Sequence, residues 1–138
     1  DQGAASATGY RGAASATGYR GAASATGDQG AASATGYYGA ASATGDQGAA
    51  SATGDQGAAS ATGYRGAASA TGKDSIALAA GYGCKAKGAI GCWIVLAERG
   101  KWNGNTYPIK EVKAFEVDGE KVKADTWYML VNGQLKEV

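Results

Sequence analysis

Asp1-Gln2-Gly3-Ala4-Ala5-Ser6-Ala7-Thr8-Gly9 opens a run of eight nonapeptides that ends at Tyr64-Arg65-Gly66-Ala67-Ala68-Ser69-Ala70-Thr71-Gly72. Seven of the nine positions never change; only the leading pair varies, among Asp-Gln, Tyr-Arg and Tyr-Tyr. A strict short period means one small unit stacked on itself, so this half reads as a solenoid or fibre rather than a globule. Gly3 and Gly9 bracket the pentapeptide Ala4-Ala5-Ser6-Ala7-Thr8, which predicts a five-residue strand followed by a tight corner, Gly9-Tyr10-Arg11-Gly12. Glycines at both edges supply the backbone angles such corners need. Helix competes, since Ala is the best helix former, but two glycines per repeat cost about 1 kcal/mol each. Disorder competes on composition. Against it stands the unbroken register, which a flexible linker has no need to keep.

Apolar content is divided unevenly. Residues 1–72 contain no Leu, Ile, Val, Phe, Met or Trp, and their largest side chains are five tyrosines. The repeats carry three Arg against four Asp, a net −1, so the remainder carries +2 of the total +1. This balance offers no electrostatic footprint for nucleic acid. No apolar run reaches membrane-spanning length, and the N-terminus does not read as a signal peptide. No location follows from this; a natural protein of this kind is expected outside the cell or on a cell or virion surface.

Alternation along a strand gives two faces. Ala5 and Ala7 are assigned inward, leaving Ala4, Ser6 and Thr8 outside, where hydroxyls need no buried partner. A core of alanine methyls then requires two sheets lying close together. The ninth repeat, Lys73-Asp74-Ser75-Ile76-Ala77-Leu78-Ala79-Ala80-Gly81, puts Ile76 and Leu78 on the other face. Either that face is covered there, or inside and outside are reversed. Two repeats per turn give coils of about 18 residues, with corner ladders Asp1, Tyr19, Tyr37, Asp55, Lys73 and Tyr10, Asp28, Asp46, Tyr64, Tyr82. Three repeats per turn sort Asp and Tyr more neatly but enclose an interior that alanines cannot fill, so the shorter coil is preferred. The predicted fold is all-β: a parallel β-solenoid over 1–91 with a small antiparallel cap over 92–138.

The nonapeptide period resembles the calcium-binding β-rolls of secreted bacterial toxins, but Ser6 stands where those repeats place Asp, so the likeness covers period and shape without a metal site. Ser75-Ile76-Ala77-Leu78-Ala79-Ala80-Gly81-Tyr82-Gly83-Cys84-Lys85-Ala86-Lys87-Gly88 resembles the Ser-x-Ala-x-Gly rhythm of trimeric autotransporter adhesin heads. That resemblance implies a β-roll in a surface fibre and a trimer. Perfect repetition also fits recent duplication or deliberate idealisation of the sequence.

From Cys92 the pattern changes. Trp93-Ile94-Val95-Leu96-Ala97 is a dense apolar strand, and turn dipeptides follow at Asn103-Gly104, Asp118-Gly119 and Asn132-Gly133. A meander of about four strands is expected, its core built from Trp93, Trp102 and Trp127 with Phe115, Met129 and Leu130. It would cover the last coil's edge, which otherwise recruits strands. The uncapped N-terminal coil is a candidate for end-to-end self-association.

The chain has no His, which removes Ser-His-Asp and Cys-His chemistry. Cys84 and Cys92, without a second pair, read as small buried thiols, with a disulfide as the alternative; no metal or cofactor is expected. Asp28 and Asp46 stack under the shorter coil, but solvated corner charges are the plainer reading than paired acids. Two features are candidates for recognition. Tyr10, Arg11, Tyr19, Arg20, Tyr37, Tyr38, Tyr64 and Arg65 are corner residues able to stack against glycans or proteins. Ser6, Thr8, Ser15, Thr17, Ser24, Thr26, Ser33 and Thr35 form a Ser-x-Thr array resembling the Thr-x-Thr face of insect antifreeze solenoids. The expected function is a non-enzymatic structural rod, with a glycan-, cell- or ice-binding module as the alternative.

Overall fold

The computed structural model describes residues 2–138; Asp1, the first rung of one corner ladder, lies outside them. Each nonapeptide forms one strand: β1 Ala4–Thr8, β2 Ala13–Thr17, β3 Ala22–Thr26, β4 Ala31–Thr35, β5 Ala40–Thr44, β6 Ala49–Thr53, β7 Ala58–Ala61 and β8 Ala67–Ala70. The pattern continues through β9 Ile76–Ala79, β10 Lys85–Gly88 and β11 Trp93–Arg99; the C-terminal part adds β12 Ile109–Glu116, β13 Tyr128–Val131 and β14 Gln134–Glu137. Odd strands stack in one sheet, β1-β3-β5-β7-β9-β11-β12, and even ones in the other, β14-β13-β10-β8-β6-β4-β2. Ala4 pairs with Ala22 and Ser6 with Ser24, in parallel, so each coil is two repeats long and the three-repeat turn is excluded. The period shortens once: Trp93 pairs with Ile76, one residue fewer than separates Ile76 from Ala58.

The inward face is the predicted one. Ala14, Ala16, Ala23, Ala25 and their equivalents through Ala79 are buried in one continuous core. A methyl is the largest group these closely spaced sheets admit, so cohesion comes from ladder hydrogen bonds rather than from large apolar side chains. Ile76 and Leu78 do not reverse the faces. Both point outward, Ile76 46% exposed and Leu78 half-buried beside Val95, its partner in β11.

Each corner is a four-residue turn closed by its second glycine, as where the Gly48 N–H donates to the Gly45 carbonyl at 3.4 Å. The residue before that glycine adopts positive φ at Gln29, Gln47, Gln56 and Arg65, between 58° and 60°, the signature of a type II turn. Its N–H then reaches the next coil, as in Gln47 N–H to the Tyr64 carbonyl at 2.7 Å. Corners therefore extend the strand ladders around the rod.

Near the cap the second glycine gives way to Ser75, Cys84 and Cys92, all buried. Each side chain donates to a corner carbonyl of the coil beneath: Ser75 Oγ to Gly54 at 3.0 Å, Cys84 Sγ to Gly63 at 2.9 Å, Cys92 Sγ to Gly72 at 2.7 Å. Ser75 Oγ also accepts the Gly57 N–H at 3.0 Å, so the hydroxyl stands inside the turn of the coil below. Both thiols are free, which discards the disulfide alternative.

The C-terminal strands are antiparallel, but they are not one meander. β12 pairs with β11 and lengthens the first sheet; the β13–β14 hairpin pairs with β10 and lengthens the second. Of the three turn dipeptides, Asn132-Gly133 makes the tight hairpin, both residues at positive φ (52° and 77°). Asp118 instead caps its own loop, Oδ1 accepting the N–H groups of Glu120 and Val122. The expected tryptophan core is not formed. Trp93 and Trp102 are 45% and 56% exposed, and Ile94, Leu96, Val117, Val122, Tyr128 and Leu130 fill the interior. Trp93 faces out because its neighbours Ile94 and Leu96 continue the inward columns of Ala77 and Ala79.

Glu98 clamps the two sheets together. Its carboxylate, on β11, accepts N–H bonds from Asn132 at 2.7 Å and Gly133 at 2.8 Å in the hairpin turn, and Lys110 lies 3.6 Å away. Those backbone bonds, from Gly133 and then Asn132, hold the pKa of its carboxyl below the ordinary 4.5, outweighing partial desolvation. The folded state therefore binds fewer protons than the unfolded one. The stabilisation is complete above pH 4.5 and is lost as pH falls through the lowered value. Urea midpoints should fall on acidification from about pH 6 to about pH 3, and Glu98→Gln should flatten that fall. An unchanged slope in the variant would remove Glu98 from this role.

Candidate functional site

The corners of successive coils run along the two long edges of the rod. One edge carries Tyr10/Arg11, Asp28/Gln29, Asp46/Gln47, Tyr64/Arg65 and Tyr82/Gly83; the other carries Tyr19/Arg20, Tyr37/Tyr38, Asp55/Gln56 and Lys73/Asp74. The eight corner candidates thus divide into three groups rather than one track.

On the second edge, Tyr19 and Tyr37 stack with centroids 5.5 Å apart and planes 7° from parallel. Tyr38 meets both edge-on, at 5.4 Å and 4.8 Å, while the Arg20 guanidinium lies 6.0 Å from the Tyr38 ring. Tyr38 reaches this position because its N–H turns to the Tyr19 carbonyl of the coil beneath at 2.9 Å. Partial desolvation, then Tyr38 and Tyr37, raise the Tyr19 phenol above its ordinary value, so it stays protonated and a hydrogen-bond donor.

On the first edge, Tyr10 stands apart, 62% exposed, with Arg11 at 5.7 Å. Arg11 Nε donates to Gln29 Oε1 of the next coil at 3.2 Å. Two acidic rungs separate this pair from Tyr64, which stacks on Tyr82 at 5.4 Å and carries Arg65 at 5.2 Å. The ladder then leaves the repeats: Tyr107 stacks on Tyr82 at 4.3 Å, and Trp102 meets Tyr107 edge-on at 5.2 Å. Arg99 fixes that loop, donating to the Tyr107 carbonyl at 3.0 Å and the Ala80 carbonyl at 2.7 Å. Tyr82 lies one coil period after Tyr64 and is legible as a rung. Tyr107 and Trp102 carry no periodic signal, since their place depends on how the loop between β11 and β12 folds back.

The hydroxyl candidates also separate. Ser6, Thr8, Ser24 and Thr26 lie on the outer face of the first sheet, Ser15, Thr17, Ser33 and Thr35 on that of the second. Within each face, Ser and Thr form straight columns, with Ser6 beside Ser24 and Thr8 beside Thr26. Asp28 and Asp46 are exposed on neighbouring rungs. Among the described residues no three His, Cys, Asp or Glu side chains converge to hold a metal ion. Desolvation raises the Cys84 thiol, which disfavours the thiolate a nucleophile needs. No helix of the described chain is long and apolar enough to cross a membrane. Comparison with protein-family models, curated proteins and solved structures finds no match to this chain.

Proposed function

We infer that this chain is a structural repeat protein, a non-enzymatic β-solenoid rod of the surface-fibre or idealised-scaffold kind. The observation that carries this reading is where the corner aromatics spend their faces. Tyr19 lies on Tyr37, Tyr64 on Tyr82 and Tyr82 on Tyr107, while the guanidinium groups of Arg20 and Arg65 cover Tyr38 and Tyr64. A sugar ring or a partner's side chain needs an open aromatic face, and apart from Tyr10, which stands unstacked, the corner tyrosines turn theirs onto neighbouring rings. They act as braces between rungs, each stacked pair adding about 0.5–1.5 kcal/mol to coil cohesion. The resemblance to adhesin-head rolls, with the trimer it implies, rests on sequence rhythm alone.

A second reading has one observation in its favour: the in-register Ser and Thr columns on each flat face are the geometry an ice-ordering surface uses. One set of measurements tests both. Replacing Tyr19, Tyr37 and Tyr38 with Ser should lower unfolding stability by roughly 1–3 kcal/mol. The parent chain should show neither retention on immobilised glycans nor thermal hysteresis in ice. Glycan retention lost in the variant at unchanged stability would replace the rod with an adhesive module, and hysteresis would replace it with an ice binder.

A further inference from the structure

The outer faces of the two sheets differ in a way the repeats alone do not reveal. On the second sheet, the columns that carry Ala67 and Ser69 continue into Lys85 and Lys87. Their ammonium groups lie 4.7 and 4.8 Å from the Trp127 ring, and Lys87 pairs with Asp125 at 3.0 Å. On the first sheet the matching columns turn apolar. Ala58 is followed by Ile76 and Trp93, Ser60 by Leu78 and Val95, and Ala97 by Val112. Ile76, Trp93 and Val112 are 46%, 45% and 53% exposed. The columns that run through Ala58, Ser60 and Ala97 carry a single charge from β1 to β12, Glu116 opposite Trp93 at the far rim. At the other end lies a shallow, almost wholly apolar trough floored by Ala22, Ala23, Ala40 and Ala41. One face thus holds a ridge and, two to four rungs away, a hollow.

We propose that the outer face of the first sheet is the interface of a two-fold dimer of this chain, with the two rods antiparallel. A two-fold contact sets one patch against its own copy. With an axis along the strand direction at β7, the middle of the seven strands, Ser60 meets Ser60. Ala22 and Ala40 of one copy then receive Trp93 and Ile76 of the other, and the exchange occurs twice. The parallel alternative puts ridge on ridge and leaves the hollows unfilled. Seven strands about 4.8 Å apart and five residues of about 3.3 Å each span roughly 500 Å² per copy. That is roughly 1,000 Å² in all before corrugation is counted, the lower bound for a specific interface. The expected complex is therefore reversible, with Kd of about 1–100 µM. The apolar part of the face, the ridge of Ile76, Trp93 and Val112 with the alanine trough, is the kind of patch that is often functional on a monomer. The dimer does not depend on the structural-rod reading, which glycan retention or ice hysteresis would overturn without touching it.

Sedimentation velocity of the full chain from about 1 to about 500 µM is expected to move from 13.6 kDa towards twice that mass. Ser60→Lys sets two ammonium groups against each other at the axis and should raise Kd at least about tenfold. Ser51→Lys makes the same change on the second sheet and should leave Kd within about twofold. Should Ser60→Lys fail to fold, Ser60→Cys should oxidise to a disulfide-linked dimer where Ser51→Cys stays monomeric, Cys84 and Cys92 being buried. A monomer throughout the range, a trimer, or a dimer as sensitive to Ser51→Lys as to Ser60→Lys would overturn the proposal.

Discussion

Gly45→Ala is expected to cost this rod more than about 3 kcal/mol, while Gly48→Ala, three residues on at the same corner, costs about 1–2 kcal/mol. Both glycines are unvarying in the repeat, but for different reasons. Gly45 has φ 117°, and a Cβ there would be driven into the carbonyl oxygen of Gly27 in the coil beneath. That carbonyl is held on both sides: it accepts the Gly30 N–H at 3.2 Å to close its own corner, and the Gly27 N–H before it is bonded to the Thr44 carbonyl at 3.0 Å. Gly48 has no left-handed angle, and a Cβ there would meet the Ala43 methyl at 3.2 Å, which a small shift relieves. Urea denaturation of the two variants measures the difference. Equal costs would mean that the corner is softer than its backbone contacts indicate.

Ala43→Leu is the second large effect, at about 3 kcal/mol, against less than about 0.5 kcal/mol for Ala40→Leu. Ala43 is 1% exposed between the sheets, whereas Ala40, three residues earlier in the same strand, is exposed on the outer face. A core made of methyls holds its sheets at a separation that three added carbons exceed, and the ladders on both sides resist spreading. Thermal or urea unfolding decides the matter. A tolerated Ala43→Leu would show that the two sheets can separate without breaking register.

Much of this was legible from the repeat. Gly–Gly spacing placed the strands and corners, alternation put Ala5 and Ala7 inside, and the alanine-only interior required the two-repeat coil. Less of the C-terminal part could be read. Trp93 and Trp102 looked like core because they are large and apolar, yet they lie outside. Parallel pairing with β9 decided the facing of Trp93, and the backbone bonds made by Arg99 decided the position of the loop bearing Trp102 and Tyr107.

The same division holds for the candidate recognition residues. The sequence named the corner tyrosines but treated them as one set. Coil stacking split them between two edges, and stacking on one another turned the faces of all but Tyr10 along each ladder. The Ser and Thr residues, similarly alike in sequence, fall on opposite faces because odd and even repeats enter different sheets.

By itself, then, the nonapeptide determined a narrow two-sided β rod, because its glycine spacing and methyl-sized interior permit one local geometry repeated without change. Tertiary structure decided what that geometry leaves open: which edge a side chain joins, how the last coil is closed, and that one face ends in an apolar ridge and the other in paired lysines. Those outcomes depend on residues 17 or more apart meeting across coils and sheets, and no short-range preference encodes such meetings.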